Sequence, residues 1–325
     1  MLETVRNAFK LKEIRSRIIY TLLMLVVVRI GTQLPVPGVN GSYFSEWFSG
    51  NSGSAFGFFD AITGGSFEKM SVFALNITPY ITSSIIIQLL TIAIPKLEEL
   101  QKDGEEGRKK MTAITRYLTV ALALMESLAM AIGFGRSGLL IKFNALNVIT
   151  AVVTLTAGST VIMWIGERIT ENGVGNGISI VLTINIISRI PQDLTLLFEQ
   201  FVKGKEIAFQ VLNLAIIIAI IIIVTVLTVA LQGAERRIPV QYSRKVQGRK
   251  QVGGQTSHIP LKVNTAGVIP IIFAQSLFMF PLIIMQLLGK SGGNGIGGTI
   301  LKMLNQSNWC DFNEPIYSIG LIVYI

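Results

Sequence analysis

The side chains able to do chemistry are few and scattered. One histidine, His258, and one cysteine, Cys310, serve the whole chain, so neither an intrachain disulfide nor a Cys/His metal cluster has the residues it needs. There is no HExxH pattern and no cluster of carboxylates inside an apolar run, which leaves nucleophilic and metal-assisted catalysis without a constellation. The chain therefore reads as no enzyme, with no cofactor called for. Glu126 and Arg29 do lie inside apolar runs. A charge at such a depth costs about 3 kcal/mol on insertion scales, so each should face protein or water. For Glu126 an interhelical hydrogen bond is favoured over a proton relay, because no second carboxylate accompanies it; Arg29, near the end of its run, can snorkel. Gly173-Val174-Gly175-Asn176-Gly177 has the composition of a phosphate-cradling loop, but such a loop follows a strand and opens a soluble helix. Between two apolar runs it reads as a tight turn able to hinge.

The elements that must position these residues are membrane spans. Half of the residues are hydrophobic and 14% are charged, a balance hard to keep in water at this length. Apolar runs of about 20 residues, enough to cross roughly 30 Å of hydrocarbon, cover Ile18 to Leu34, Val72 to Ile94, Tyr117 to Phe134, Leu146 to Ile165, Val211 to Leu231 and Ala266 to Leu288. A shorter run, Gly177 to Ile190, makes about 21 Å of helix. It is too short to cross alone and is expected to border a water-filled vestibule. A last apolar start at Ile316 is cut by the end at Ile325, so the chain reads as C-terminally truncated. The first run follows Arg6, Lys10, Lys12, Arg15 and Arg17 without a small-residue cleavage site, which marks a first span and not a removed signal. Most of the 28 lysines and arginines fall in the N-terminus and in residues 95–116, 166–176 and 232–265. By the positive-inside rule this puts the N-terminus in the cytoplasm.

Two of the runs carry an internal proline, Pro79 and Pro270. Proline removes a backbone donor and clashes with the preceding turn, so both segments are expected to bend and to face protein or a cavity. Paired interruptions of this kind point to an internal repeat with a transport path at its interface, which favours a conduit. A secondary transporter for a small solute is the alternative, although only Glu126 could serve as a midplane charge. Between the first two runs, Phe56-Gly57-Phe58-Phe59-Asp60-Ala61-Ile62-Thr63-Gly64-Gly65-Ser66 is too short to span. It reads equally as an interfacial aromatic anchor or as a re-entrant stopper that swings at its glycines. The basic run Arg236-Arg237, Arg244-Lys245, Arg249-Lys250 can fix topology and hold anionic lipid, or dock an acidic or nucleic-acid-bearing partner from an extended loop without a fold of its own.

Longer stretches carry a resemblance. Val28-Arg29-Ile30-Gly31 with Pro35-Val36-Pro37-Gly38, Asn76-Ile77-Thr78-Pro79-Tyr80-Ile81 through Leu90, Gly104-Glu105-Glu106-Gly107-Arg108-Lys109-Lys110, Trp164-Ile165-Gly166-Glu167-Arg168-Ile169-Thr170, Gly175-Asn176-Gly177-Ile178-Ser179 and Leu261-Lys262-Val263-Asn264-Thr265-Ala266-Gly267-Val268-Ile269-Pro270 resemble, in order, the SecY family of pore-forming subunits of the protein-conducting channel. The resemblance implies an all-α polytopic membrane protein in two inverted, pseudo-symmetric halves, residues 1–200 with five spans and a partial second half over 201–325. It implies a bacterial cytoplasmic membrane location and passage of unfolded polypeptides, with sideways release of signal and transmembrane segments. By the same resemblance Ile77, Ile81, Ile178, Leu182 and Ile272 form a constriction ring, the first four as i,i+4 pairs. Residues 55–66, with Phe56, Phe58, Phe59, Ile62, Gly64 and Gly65, form a plug. Pro79, Gln88, Pro270 and Ser276 mark a lateral gate. Arg236, Arg237, Arg244, Lys245, Arg249 and Lys250 dock a motor or ribosome. The implied partners are the small membrane subunits SecE and SecG, the SecA ATPase, the ribosome through its rRNA, signal peptides and nascent chains, and anionic lipids.

Overall fold

The computed structural model of the chain describes residues 10–41, 46, 60–135, 138, 140–204, 207–240, 245–247, 250–252, 257–265, 267, 274, 303, 319 and 322. Its elements are helices α1 (Lys12–Gly31), α2 (Thr78–Ala93), α3 (Pro95–Lys102), α4 (Gly104–Gly133), α5 (Ala145–Asn172), α6 (Gly177–Phe201) and α7 (Ile207–Gly233), then strands β1 (Glu235–Val240), β2 (Lys245–Gln247), β3 (Lys250–Val252) and β4 (Ser257–Lys262). Helices α4, α5 and α6 and residues Phe209–Gly233 of α7 are each long and apolar enough to cross a membrane, and α2 with α3 does so as a pair bent by 106°. The chain divides into two compact units, Met1–Ile190 with Phe273–Ile325, and Pro191–Ile272.

In the first unit α4 and α5 form a hairpin whose contact is written in small residues. Thr115, Thr119, Ala123, Ser127 and Ala131 are all buried on one face of α4, four residues apart, and they let the helix axes approach closely. Hydroxyls then bridge the helices: Ser127 shares a hydrogen bond with Thr156 of α5 at 2.9 Å, and Thr119 with Ser83 of α2 at 2.6 Å. At the other end Arg116 and Glu167 close the pair at 2.8 Å. Helix α1, expected as the first span, buries only Thr21, Val28 and Gly31 and is not among the helices long and apolar enough to cross by that measure.

Three expectations change. Pro79 does not bend a helix. It stands in the first turn of α2, where its missing N–H would be unpaired anyway and its fixed φ suits the helix start. Residues 72–77 ahead of it are consecutive turns, with Asn76 in the left-handed region at φ 51°. The sharp break falls instead at Ile94, just before Pro95. The run from Gly177 does not stop at Ile190 either: α6 continues through Pro191 for 25 residues and is long enough to cross. Pro191 has no N–H to give the Ile187 carbonyl one turn back, yet the helix runs on through it to Phe201; the Pro191 carbonyl itself accepts the Thr195 hydroxyl at 2.8 Å.

The second unit holds α7, in which none of the most apolar window is buried, and the basic segment after it. That segment is folded, unlike the extended loop expected from its glycines and glutamines. β1 pairs antiparallel with β4, from Glu235 opposite Lys262 to Val240 opposite Ser257, and β2 with β3. Two isoleucines, Ile238 and Ile259, face one another in this ladder, and such cross-strand β-branched pairs favour strand over coil.

Candidate functional site

The site is built around one face of α6. Ile178, Leu182, Asn185 and Arg189 recur at helical spacing, so they share that face. Its first half is aliphatic. Ile77, Ile81, Ile178 and Leu182 belong to one apolar cluster with Val28, Phe73, Ile162, Ile165, Ile169 and Val181. Ile77 is fully buried there, while Ile81, Ile178 and Leu182 keep part of their surface open. Gly166 of α5 makes the approach possible, since a Cβ at this position would lie 3.2 Å from Ile178 and 3.6 Å from Ile77.

The second half of the face is polar. Asn185 is fully buried; its Nδ2 donates to Asn76 Oδ1 at 3.2 Å, and its Oδ1 accepts from Arg29 at 3.4 Å. Asn76 in turn donates to the Ile62 carbonyl at 3.4 Å. One turn on, Arg189 forms an ion pair with Asp60 and lies 3.7 Å from Glu68. The Asp60 side chain is wholly buried, and its Oδ1 accepts the Glu68 backbone N–H at 2.8 Å. The segment beginning at Asp60 is thus seated on α6 through Arg29, Asn76, Asn185 and Arg189. Gly64 crosses nearest, at φ 70°. A Cβ there would stand 2.6 Å from the Asn185 carbonyl oxygen, so no other residue fits.

Of the expected plug, Ile62, Gly64 and Gly65 stand in this seat, and Phe56, Phe58 and Phe59 lie outside the described residues. Ile272, Pro270, Ser276, Arg244 and Arg249 also lie outside them. Gln88 is exposed on α2, within 3.5 Å of the Ser84 hydroxyl. Arg236 and Arg237 are exposed on β1, and Lys245 and Lys250 belong to β2 and β3. Arg29 does not snorkel, since Asn185 holds it. Among the described residues no hydrogen bond reaches Glu126; the interhelical bond expected of it is made by the adjacent Ser127. Three of the five amides of the Gly173–Gly177 turn, and that of Ile178 after it, are already engaged within the protein. Gly173 N–H goes to the Ile169 carbonyl, Val174 to the Thr21 hydroxyl, Gly177 to the Thr170 hydroxyl and Ile178 to Asn176 Oδ1.

Sequence reasoning missed Asn76, Asn185, Asp60 and Arg189 as a set. The signal was there in part: Asn185 and Arg189 are polar residues continuing the Ile178–Leu182 face of an apolar run, and polar groups in such a run need partners.

The SecY family profile matches residues 71–325. This chain belongs to the SecY family. The protein translocase subunit SecY of Streptomyces scabiei is 42% identical over 90% of the chain and 69% of its own length, and that of Halalkalibacterium halodurans 41% identical over the whole chain and 73% of its own length. A solved protein-conducting channel superposes with a TM-score of 0.60 at 19% identity, over 95% of this chain and 69% of that one. Sec61 from a canine ribosome–channel complex gives 0.59 at 17%, over the same shares. The shared fold is that of an all-helical, multi-pass membrane protein, and the SecY family members matched are subunits of a translocation complex.

Proposed function

We propose that the chain is the pore-lining subunit of a protein translocation channel, passing unfolded polypeptides across a bacterial cytoplasmic membrane and releasing apolar segments sideways into it. The observation that carries this reading is the convergence of Ile77 from the turn before α2, Ile81 from α2, and Ile178 and Leu182 from α6 into one cluster, directly beside a segment seated on the same face of α6. A rim of branched aliphatic side chains repels water and ions by dewetting, and it yields around an extended chain because apolar contacts have no preferred direction. In this reading residues 55–66 are the stopper, the N-terminus is cytoplasmic, and α2 with Gln88 forms one side of a lateral gate. The chain works with SecE- and SecG-like small subunits. Energy comes from a SecA-type motor or a ribosome that docks on the basic segment around Arg236 and Arg237, and anionic lipids line the same face. No residue of the chain need be catalytic.

The test is ion conductance of the assembled channel, carrying the full-length chain, in a planar bilayer. Replacing Ile81, Ile178 and Leu182 together by serine wets the rim and should raise resting conductance several-fold. Unchanged conductance would remove these residues from the constriction.

A further inference from the structure

The seat of the Asp60–Ser66 segment has a division of labour that the stopper reading does not require. Asp60 is its centre. One carboxylate oxygen organises the segment itself, accepting the Glu68 N–H at 2.8 Å, while the backbone carbonyl of Asp60 accepts from Gly65 at 3.1 Å and from the Thr63 hydroxyl at 3.1 Å. The other oxygen is paired with Arg189 of α6. The same acid therefore shapes the turn and grips the helix, and the shaped turn is what brings its second oxygen to Arg189.

The two ends of the segment are held differently. Downstream, Phe67 is buried in the apolar cluster that includes Met70, Leu75 and Met130, with its ring edge-on to Phe134 at 6.5 Å. Upstream, the grip is ionic. Between the two stand Gly64 and Gly65, both at positive φ, where the backbone turns most freely. With side chains as small as those of Gly64, Gly65 and Ser66, this stretch offers little apolar surface to hold it on α6. The polar contacts that tie it to its surroundings are the buried pair, the bond from Asn76 to the Ile62 carbonyl at 3.4 Å and the bond from the Ser66 hydroxyl to the Phe73 carbonyl at 3.3 Å.

A buried pair is close to all-or-none. Removing one partner strands the other charge out of water, whereas removing both is far less costly. We infer that Arg189, acting through Asp60, is a positioning residue that latches the stopper to α6, so that the ion pair sets how readily the channel opens. This rests on the reading of residues 55–66 as a stopper.

The test uses the assembled channel with the full-length chain, reading resting ion conductance and export of a secretory protein whose signal sequence is defective. Asp60→Asn and Arg189→Gln should each raise both by about tenfold, the equivalent of a loss of about 1.4 kcal/mol from the shut state. Asp60→Asn/Arg189→Gln together should raise them by clearly less than the product of the two, and Arg189→Lys should restore most of the seal. A chain lacking residues 60–66 is the reference for the stopper itself. If that deletion leaks while the single variants seal like the parent, or if the two singles multiply, the latch is overturned and the stopper stands. If the deletion seals as well as the parent, the stopper reading falls and the latch with it. Should Arg189→Gln not assemble, Asp60→Asn alone, which keeps the side-chain shape, decides between these outcomes.

Discussion

One face of α6 changes its chemistry halfway along. Ile178 and Leu182 join an aliphatic cluster, and Asn185 and Arg189, one and two turns further, sit in a polar seat. The backbone is the same helix and the partners are immediate neighbours in sequence, Ile77 for the first half and Asn76 for the second. What differs is how each half fails. Apolar contact falls away gradually with separation and accepts any partner of similar volume. A buried hydrogen bond or ion pair is lost outright, and the groups left behind stay unsatisfied. A rim that has to widen and close around varied side chains suits the first kind of contact, and a segment with a seated and an unseated state suits the second.

The largest expected effect is to erase the polar half. Asn185→Leu leaves Asn76 and Arg29 without their partner in a fully buried position, and the chain should lose about 2–4 kcal/mol, read as a fall in thermal stability of the purified channel in detergent. A loss no larger than that of a surface substitution would mean that water already satisfies these groups. Next comes Gly64→Ala. A methyl at φ 70° against the Asn185 carbonyl oxygen, 2.6 Å away, should cost about 1–3 kcal/mol in strain and unseat the segment. Proteolysis near residue 64 would speed up if it does, and unchanged protection would show that the turn can relax.

What was legible in the sequence follows the same division. Several of the spans could be read because a long apolar run is a local signal, whereas the Ile77/Ile81 and Ile178/Leu182 pairs were named by the resemblance to the SecY family. The seat could not. Asp60 and Arg189 are far apart in the chain, and nothing local says that the segment from Asp60 to Ser66 and the far turns of α6 meet. Pro79 misled for a local reason as well: it was expected to bend a span and instead opens a helix, whereas Pro95 accompanies a 106° break and Pro191 is carried inside a helix. Position relative to a helix end decides which, and composition does not fix that end. The strands after α7 were hidden by their glycines and basic residues, although Ile238 and Ile259 were the cue.

A smaller effect sharpens the aliphatic half. Leu182→Met keeps volume and polarity, so stability should change by less than about 1.5 kcal/mol and resting conductance should hold. Leu182→Asn is nearly as well shaped but brings a wettable amide to the rim, and conductance should rise at little cost in stability because Leu182 is only part-buried. Equal conductance for the two would show that shape, and not dewetting, makes the seal.

The smallest effect separates the seat from ordinary polar glue. Ser83 and Thr119 also approach one another in a buried contact, at 2.6 Å between α2 and α4, but each hydroxyl has an alternative acceptor on its own helix, the Tyr80 carbonyl at 2.9 Å for Ser83 and the Thr115 carbonyl at 2.7 Å for Thr119, and the two protons can make only two of these three bonds at once. A hydroxyl that loses its interhelical partner can fall back on that bond, so Ser83→Ala should cost only about 0.6 kcal/mol, the average for interhelical hydrogen bonds in a membrane protein. Thermal denaturation of Ser83→Ala beside Asn185→Leu measures the contrast directly. If the two variants lose comparable stability, the seat is no different from any hydroxyl bridge in the bundle, and the division of α6 into a yielding half and a locking half loses its energetic basis.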